Sequence, residues 1–478
     1  MNICLEVTGR ELTVSQAAVA ALCPLWTSWV FSVCIRSMAL HHAGLEVFTI
    51  GLQSRSRFRS KGVLSRHRTI ALLCKSSGQL VNLCFPRLQT GDAVLRALGL
   101  LVAIGPELTH RAHVCEFDGS NKAHSEKVEA TMVTLHAVQA HNAALTSLAS
   151  GVVAVFVGGT SGIALSTALA LTRHTTSPKI YLIGRSESAA DAAIASIKSI
   201  NPSAQPTFLQ ADISLLKNVD SVCAELASRE KSINLLFMTP GYLTLKGRDE
   251  TAEGLDRKFV LHYYARMRFI TNLLPQLSAA AQDPSVDASA RLSRVVSVLD
   301  PMVSVRAGGA GTLDFSDLSL KRTFNLKKCG WHASLMGNFF LESMAQRYPH
   351  TSFVHAYPSG VATGVMRELP AGRVLSAVLT PLLKPFMVPL HESGERHLFA
   401  ATSGRFPPRA EGEGREGDIA AGSDGTKGSG CYWLNWDSEV FPPNEKIQRT
   451  RVQGAVEKVM QHTEEVFKQV CEEGKTYP

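Results

Sequence analysis

A run of β-branched residues that ends in paired glycines constrains this chain more than any other feature. It reads GVVAVFVGGTSGIA over residues 151–164 and opens at once into an Ala/Leu-rich helical pattern. A strand that breaks into a helix through Gly158, Gly159 and Gly162 brings the backbone close to a diphosphate and directs a helix N-terminus at it. The stretch therefore predicts a dinucleotide-binding turn. The alternative is a structural strand–helix turn that binds no ligand.

Strand-like and helix-like segments alternate after this turn. The strand-like segments are nearly continuous apolar runs at 152–157, 179–184, 206–211, 233–239, 294–299, 352–357 and 431–435. Parallel strands that are covered on both faces have this character. Helical patterns lie at about 161–174, 187–200, 214–229, 252–280, 330–347 and 447–470. The alternation predicts an α/β fold, a Rossmann-like doubly wound parallel sheet with helices on both faces.

The first 131 residues show no sustained hydrophobic period, so we assign them no fold. We expect residues 1–131 to be a disordered appendage or a gene-prediction extension, and residues 132–478 to form one Rossmann-fold domain. The rival interpretation of the N-terminal part is a membrane anchor at Ala17–Ile35. That apolar stretch has about the right length but contains Pro24 and three hydroxyl-bearing side chains. We therefore expect no membrane association.

Charge and cysteine content argue against two classes of protein. A net charge of +8 is modest for 478 residues, and the basic segment between Ser54 and Lys75 has a single aromatic residue, Phe58, and so lacks the aromatic interleaving of a nucleic-acid-binding surface. The ten cysteines are scattered without a CxxC pair, so no metal site or disulfide framework follows. We expect a cytoplasmic protein with no nucleic-acid partner and no metal.

The second predicted strand ends in IGRS, with Arg185 and Ser186 after the glycine. A carboxylate at this point would accept the adenosine ribose hydroxyls and repel a phosphate, whereas Arg185 and Ser186 suit a 2′-phosphate. The pattern favours NADP(H) over NAD(H), unless Arg185 is only a surface residue. Asp212 closes the third strand, where it either bonds the adenine amino group or caps the helix that follows.

Taken in order, GGTSGIA, IGRS, ADIS, TPG, VVSV and YPSGVAT resemble the short-chain dehydrogenase/reductase family over about residues 150–365. The stretch from Met132 onward resembles a fungal subgroup often attached to secondary-metabolite pathways. The resemblance places TPG where the family has Asn-Asn-Ala-Gly, and Thr363 where a hydroxyl meets the nicotinamide carboxamide. The cofactor-binding residues predicted in this way are Gly158, Gly159, Thr160, Ser161, Gly162, Ile163, Arg185, Ser186, Asp212, Gly241 and Thr363.

The catalytic part of the resemblance is incomplete. The family uses a serine that orients the carbonyl, a tyrosine that passes a proton, and a lysine that lowers the tyrosine pKa. Ser297 in RVVSVLD falls on the serine position, but Gly330 and Ser334 fall on the tyrosine and lysine positions. His262 falls on the position of the family's structural asparagine.

Three outcomes remain open for the proton transfer. His332, two residues from the vacant tyrosine position, is one candidate for the acid–base group, since an imidazole titrates near neutrality. It is equally a helix histidine with no catalytic task. Alternatively, water donates the proton and Ser297 is the only polarising group. In the third outcome the protein binds a nucleotide and reduces nothing.

The resemblance implies an NADP(H)-dependent oxidoreductase that reduces a carbonyl or oxidises a secondary alcohol. Few charged residues occur between Leu375 and Leu390, which favours a lipophilic, polyketide- or terpenoid-like substrate. The alternative is a non-redox member of the fold, namely an isomerase or cyclase, or a nucleotide-binding partner of another pathway enzyme. The resemblance also implies a homo-oligomer.

Overall fold

The structure is a computed structural model of the 478-residue chain. It describes seven strands within residues 1–131 and, after them, residues 132–147, 151–242, 244–286, 291–306, 312–361, 363, 387–412 and 417–478. The chain divides into two compact units. One comprises Met1–Val102 with Glu107–Glu129, and the other Ala103–Pro106 with Ala130–Pro478.

The first unit contains two small sheets. Its strands are β1 (Ile3–Val7), β2 (Arg10–Val14), β3 (Ser32–Ala39), β4 (Glu46–Gln53), β5 (His67–Leu73), β6 (Leu80–Pro86) and β7 (Ala112–Cys115). They are arranged in the orders β2-β1-β3-β4 and β6-β5-β7. Most of the Ala17–Ile35 stretch lies outside the described residues. Within the part of the chain that the structure describes, no helix is long and apolar enough to span a bilayer.

The second unit is built on a seven-stranded sheet. Its strands are β8 (Val153–Val157), β9 (Lys179–Gly184), β10 (Gln205–Gln210), β11 (Leu235–Met238), β12 (Arg294–Val298), β13 (Ser352–Ala356) and β14 (Cys431–Leu434). Every neighbouring pair is parallel, in the order β10-β9-β8-β11-β12-β13-β14. All seven predicted strands are confirmed, with ends that shift by one or two residues.

Helices connect these strands and cover both faces of the sheet. They are α1 (Leu135–Ala143), α2 (Gly162–His174), α3 (Glu187–Ile200), α4 (Leu216–Arg229), α5 (Ala265–Ala281), α6 (Leu326–Arg347), α7 (Leu390–Thr402), α8 (Glu445–Val452) and α9 (Ala455–Phe467). Single helical turns lie at Arg257–Phe259, Val303–Arg306 and Arg409–Gly412, and π-helical turns at Val260–Tyr264 and Lys468–Glu472. The doubly wound α/β fold predicted from the sequence is confirmed.

Three of the predicted helices have a different extent in the structure, and one of them, α6, begins at Leu326, four residues before its predicted start. The segment predicted at 252–280 enters α5 through the turn at Arg257–Phe259 and the π-helical turn that follows. The segment predicted at 447–470 is divided into α8 and α9, because Gly454 adopts the left-handed conformation with φ of 73°. A glycine tolerates this conformation without strain and so permits the break.

Two hydrophobic clusters, one on each face of the sheet, hold the layers together. One joins alternate strand residues to α4, α5, α6 and α9, and the other joins the intervening residues to α1, α2, α3 and α7. The chain order reverses between β8 and β11, which lie side by side in the sheet. In doubly wound folds such a reversal opens a crevice at the carboxyl ends of the two strands. The glycine turn follows β8 and lies at this edge.

Candidate functional site at the carboxyl edge of the sheet

The glycine turn after β8 has a backbone that only small residues can form. Gly158 and Gly162 have φ of 78° and 61°, and the amide of Gly158 donates to the Ile183 carbonyl at 2.9 Å. A Cβ atom on Gly159 would lie 2.7 Å from the Phe156 carbonyl oxygen, closer than atoms can pack. The three glycines therefore let the chain turn tightly between strand and helix.

The N-terminus of α2 is open at this turn. Ser161 is its N-cap residue, but its side chain makes no capping hydrogen bond. The first four N–H groups of a helix have no partner within the helix, and the helix dipole favours a negative charge there. The thirteen-residue α2 thus offers main-chain donors to a diphosphate, and Thr160, Ser161 and Ile163 lie in the same turn.

Residues from two other loops border the glycine turn. A Cβ on Gly158 would lie 3.0 Å from Thr239 Oγ1, and a Cβ on Gly162 would lie 3.5 Å from Thr363 Cγ2. The structure therefore brings Thr363 and the segment after β11 to the turn, and contact of Thr363 with the nicotinamide stays a prediction. Gly241 packs against His262, whose Nε2 would be 2.9 Å from a Cβ at residue 241. Burial and the nearby Lys258 and Arg266 charges lower the pKa of His262 well below its ordinary value.

An open cavity of about 480 Å³ lies at the ends of β9 and β10 and brings Arg185 and Asp212 together. The Ser186 hydroxyl accepts from the Ala189 amide at the start of α3. Asp212 Oδ1 accepts from the Ser214 amide, which tightens the turn after β10. The cavity lining therefore contains one cationic side chain, Arg185, and two carboxylates, Asp212 and Glu225.

The expectation that Asp212 caps the following helix is wrong. The helix α4 begins at Leu216, and its first amides donate to the Glu253 carboxylate at 2.6 Å from Leu216 and 3.0 Å from Lys217. Glu253 comes from the loop before α5, so the cap is distant in sequence. Asp212 Oδ2 also lies 3.8 Å from Arg257 Nη1, and its contact with the adenine stays a prediction.

Ser297 lies inside β12, where 2% of the residue is exposed. Its hydroxyl accepts a 2.8 Å hydrogen bond from Arg266, a fully buried arginine of α5. Arg266 also donates to main-chain carbonyls of Leu261, Met238, Val298 and Pro240. Burial lowers the pKa of Arg266 to about 9. The role of Ser297 as the carbonyl polariser stays a prediction, and in this structure its oxygen is already engaged.

A second polar side chain is buried beside Ser297. His355 of β13 is paired with Ser297 in the sheet register, and its Nδ1 lies 2.6 Å from Asn338 Oδ1. Its Nε2 has no hydrogen-bond partner among the described residues. Burial and the Arg266 charge lower the pKa of His355 to about 3, so the imidazole is neutral.

His332 lies on the buried side of α6, with 2% of the residue exposed. Its Nε2 accepts from the Asp314 amide at 3.2 Å, and its Nδ1 lies 3.3 Å from the Leu318 carbonyl. Both ring nitrogens therefore contact the loop before α6. Burial lowers the pKa of the imidazole. An acid–base role for His332 stays a prediction, and such a role requires one of these contacts to break.

The α6 face that carries the vacant tyrosine and lysine positions packs on the turn after β12. The Ser334 hydroxyl donates to the Asp300 carbonyl at 2.8 Å, and the Asn338 amide donates to the Pro301 carbonyl at 2.8 Å. Gly330 lies one helical turn before Ser334 on the same face. Among the residues that the structure describes, no atom would lie within 4 Å of a Cβ on Gly330. The missing tyrosine therefore corresponds to open space beside this face.

The sequence analysis missed Asp300, which follows β12 directly at the carboxyl edge. Its Oδ1 accepts from the Met302 amide at 2.8 Å, and its Oδ2 lies 3.7 Å from Arg306 Nη1. The Arg306 guanidinium stacks over the Tyr357 ring at 4.3 Å, just after β13. Burial raises the pKa of Asp300, and Arg306 opposes that shift. An ionisable residue directly after an apolar strand was the available signal.

Comparison with known proteins gives relatives that match most of the chain. It is 39% identical over 346 residues to Oxidoreductase AN1596 of Emericella nidulans, covering 71% of this chain and 99% of the relative. It is 33% identical to Oxidoreductase andH of Emericella variicolor, with 71% and 98% covered. It is 28% identical to Short-chain dehydrogenase/reductase SAT2 of Stachybotrys chartarum, with 71% and 99% covered. No protein-family model matches the chain.

Proposed function

This chain belongs to the short-chain dehydrogenase/reductase family of oxidoreductases, and we propose that it is NADP(H)-dependent and acts on a carbonyl or secondary alcohol of a lipophilic metabolite. The observation that carries the proposal is the glycine turn between β8 and α2. A Cβ on Gly159 would collide with Phe156, so the chain turns this tightly only with glycine there, and the N-terminus of α2 follows the turn without a side-chain cap. These features fit a diphosphate.

Residues around the crevice would hold the cofactor along its length. The glycine turn would take the diphosphate, Asp212 would face the adenine, and Thr363 with Gly241 would border the nicotinamide end. When bound in reduced form, the nicotinamide supplies a hydride. Ser297 stays the predicted polariser and His332 one candidate for the acid–base group, although both are hydrogen-bonded to other parts of the protein in this structure.

The choice of NADP(H) over NAD(H) rests on the charge at the end of β9. Arg185 is exposed and lines the 480 Å³ cavity, so its guanidinium is free to turn toward a 2′-phosphate. Planar guanidinium groups form paired hydrogen bonds with phosphate oxygens. The lipophilic substrate is supported by the apolar composition between Leu375 and Leu390, most of which lies outside the described residues.

Fluorescence titration tests the cofactor part of the proposal. Purified protein should quench or shift NADPH emission with a lower Kd than NADH. Loss of NADPH at 340 nm over a panel of apolar ketones and quinones tests the activity. Equal affinity for the two cofactors would overturn the NADP(H) assignment, and absence of binding to either would overturn the whole proposal.

A non-redox isomerase, cyclase or nucleotide-binding partner is the second candidate. The observation that favours it is the presence of Gly330 and Ser334 at the tyrosine and lysine positions, with open space at Gly330. NADPH binding without turnover of any panel member would favour this candidate. Turnover of any member with stoichiometric cofactor oxidation would exclude it.

A further inference from the structure

We propose that Asp300 is the proton donor and acceptor of this protein, held in place by Arg306, and that it faces the space left at Gly330. This inference rests on the proposed oxidoreductase function. It assigns the acid–base task to a carboxyl group on the strand side of the crevice. The resembled family places that task on the helix side, at the position of Gly330.

The position of Asp300 at the sheet edge is the first argument. The strands β12 and β13 stay hydrogen-bonded up to Leu299, whose amide donates to the Ala356 carbonyl at 3.0 Å. Asp300 is therefore the first residue after the paired part of β12, which is two strands from β8 in the sheet. Side chains at the carboxyl ends of the central strands reach the ligand crevice of this fold.

The helix packed above this residue provides the second argument. Ser334 and Asn338 of α6 bind the main chain at residues 300 and 301, so their helix face lies directly over the turn. Gly330 extends that face by one helical turn and leaves open space around its Cβ position. A substrate group that enters this space would lie between α6 and the Asp300 turn.

The surroundings of the carboxyl group provide the third argument. About one fifth of the Asp300 side chain is exposed, 19%, so protons can exchange with solvent while most of the group is desolvated. Arg306 Nη1 lies 3.7 Å from Asp300 Oδ2, and the Arg306 guanidinium stacks over the Tyr357 ring at 4.3 Å. The α6 face above it presents Gly330, Ser334 and Asn338, which carry no charge. Desolvation favours the protonated carboxyl, and Arg306 stabilises the carboxylate that remains after proton transfer.

The proton transfer balances without a further reactant. In the reductive direction the carbonyl carbon receives the hydride and its two electrons, and the carbonyl oxygen takes the proton as the O–H bond of Asp300 breaks. The products are an alcohol and the Asp300 carboxylate, which regains a proton from water. In the oxidative direction the carboxylate takes the hydroxyl proton. General acid–base groups contribute roughly 100- to 10,000-fold to such rates.

The kinetic test uses full-length protein, NADPH and 9,10-phenanthrenequinone as a carbonyl probe. Asp300→Asn keeps the acceptor for the Met302 amide and should lower kcat about 100-fold while the Kd for NADPH stays unchanged. Asp300→Glu should keep more activity than Asp300→Asn. Asp283→Asn is the matched control, because Asp283 follows α5 at the opposite edge of the sheet and caps only its own turn. Circular dichroism and melting curves check that each variant folds.

The second readout does not depend on turnover. With aspartate labelled with ¹³C at the carboxyl carbon, the resonance missing in Asp300→Asn identifies Asp300 in the cofactor-free protein. Its pKa should lie above that of an exposed aspartate and rise further in Arg306→Gln, because the opposing charge is gone. Arg306→Gln should also move the basic limb of the pH–rate profile upward, which a purely structural role would not do.

The outcomes separate this inference from the proposed function. If the wild type reduces the probe and Asp300→Asn does so at the same rate, Asp300 is not the acid–base group. If Asp300→Asn loses NADPH binding together with activity, its role is structural and the inference is likewise overturned. If the wild type binds NADPH but reduces neither this probe nor the ketone panel, the oxidoreductase function itself fails, and this inference fails with it.

Discussion

The two ends of the crevice are built in different ways. The nucleotide end consists of main-chain features that are contiguous in sequence, namely the glycine turn, the N-terminus of α2 and the end of β9. The chemical end consists of side chains from β12, α5, α6 and β13, and Arg266, Asp300 and His355 come from three separate elements. A local backbone motif is visible in a sequence, whereas a cluster assembled from distant elements is not.

The contrast extends to how each end tolerates change. A Cβ at Gly159 of the nucleotide end collides with the β8 main chain, whereas a Cβ at Gly330 of the chemical end meets nothing. The nucleotide end therefore has a fixed shape that the backbone imposes. The chemical end has open space at Gly330, and its shape depends on the side chains that line it.

The largest expected effect is on the glycine turn. Gly159→Ala should lower the free energy of unfolding by about 3 kcal/mol, because the new methyl must displace main-chain and side-chain atoms of Phe156. Urea denaturation measures the change. Gly330→Ala is the control and should be neutral or stabilising by up to about 1 kcal/mol, since it replaces a helical glycine in open space. Equal losses of unfolding free energy in the two variants would show that the glycine turn is no more constrained than the helix at Gly330.

The second-largest expected effect is at the chemical end, where removal of the buried Arg266 should lower the unfolding free energy. Arg266→Met leaves the carbonyls of Met238, Pro240 and Val298 without their donor, and we expect a loss of about 2 kcal/mol in unfolding free energy. Denaturant titration should show this loss without a change in the cooperativity of unfolding. An exposed arginine of α4, Arg229, changed to Met provides the control and should stay within about 0.5 kcal/mol of the wild type. If Arg266→Met lost no more unfolding free energy than Arg229→Met, the hydrogen bonds of Arg266 would not stabilise the ends of the strands.

Because His355 is buried and neutral, we expect the stability of the folded protein to depend on pH. The pKa of His355 is about 3 in the folded protein and near 6.5 when unfolded, so the unfolded chain binds the proton first. Its contribution to stability is complete above pH 6.5 and is lost as the pH falls, at up to about 1.4 kcal/mol per pH unit. Denaturation at pH 7 and pH 5.5 should show that the unfolding free energy of His355→Gln depends less on pH than that of the wild type. His350→Gln, at an exposed position, should match the wild type.

The smallest expected effect concerns cofactor choice. Arg185→Ala should raise the Kd for NADPH about tenfold, equivalent to about 1.4 kcal/mol, and leave the Kd for NADH unchanged. Fluorescence titration at low and moderate salt measures both constants, and the difference should shrink as salt screens the charge. If the substitution raises the Kd of both cofactors equally, Arg185 stabilises the turn after β9 and does not bind the 2′-phosphate.

Most of the scaffold followed from local patterns, and the departures have local causes. The apolar runs located every strand of the large sheet, since buried parallel strands require them. The last helix was predicted as one element, because the left-handed Gly454 that divides it is not distinguishable from an ordinary helical glycine by pattern. A cap of α4 by Asp212 was one of two interpretations of that residue, but Glu253 from a distant loop provides the cap. No local rule identifies a partner that folding brings from elsewhere.

The sequence by itself determined the sheet, the order of its helices and the glycine turn at the sheet edge, because hydrophobic period and backbone freedom act over a few neighbouring residues. Only the tertiary structure decided that Ser297 accepts a hydrogen bond from Arg266, that both ring nitrogens of His332 contact a loop, and that Ser334 of α6 binds the Asp300 carbonyl. Those facts depend on which strand ends and helix faces meet, and side chains far apart in the chain acquire their burial, charge partners and pKa values only after the layers pack.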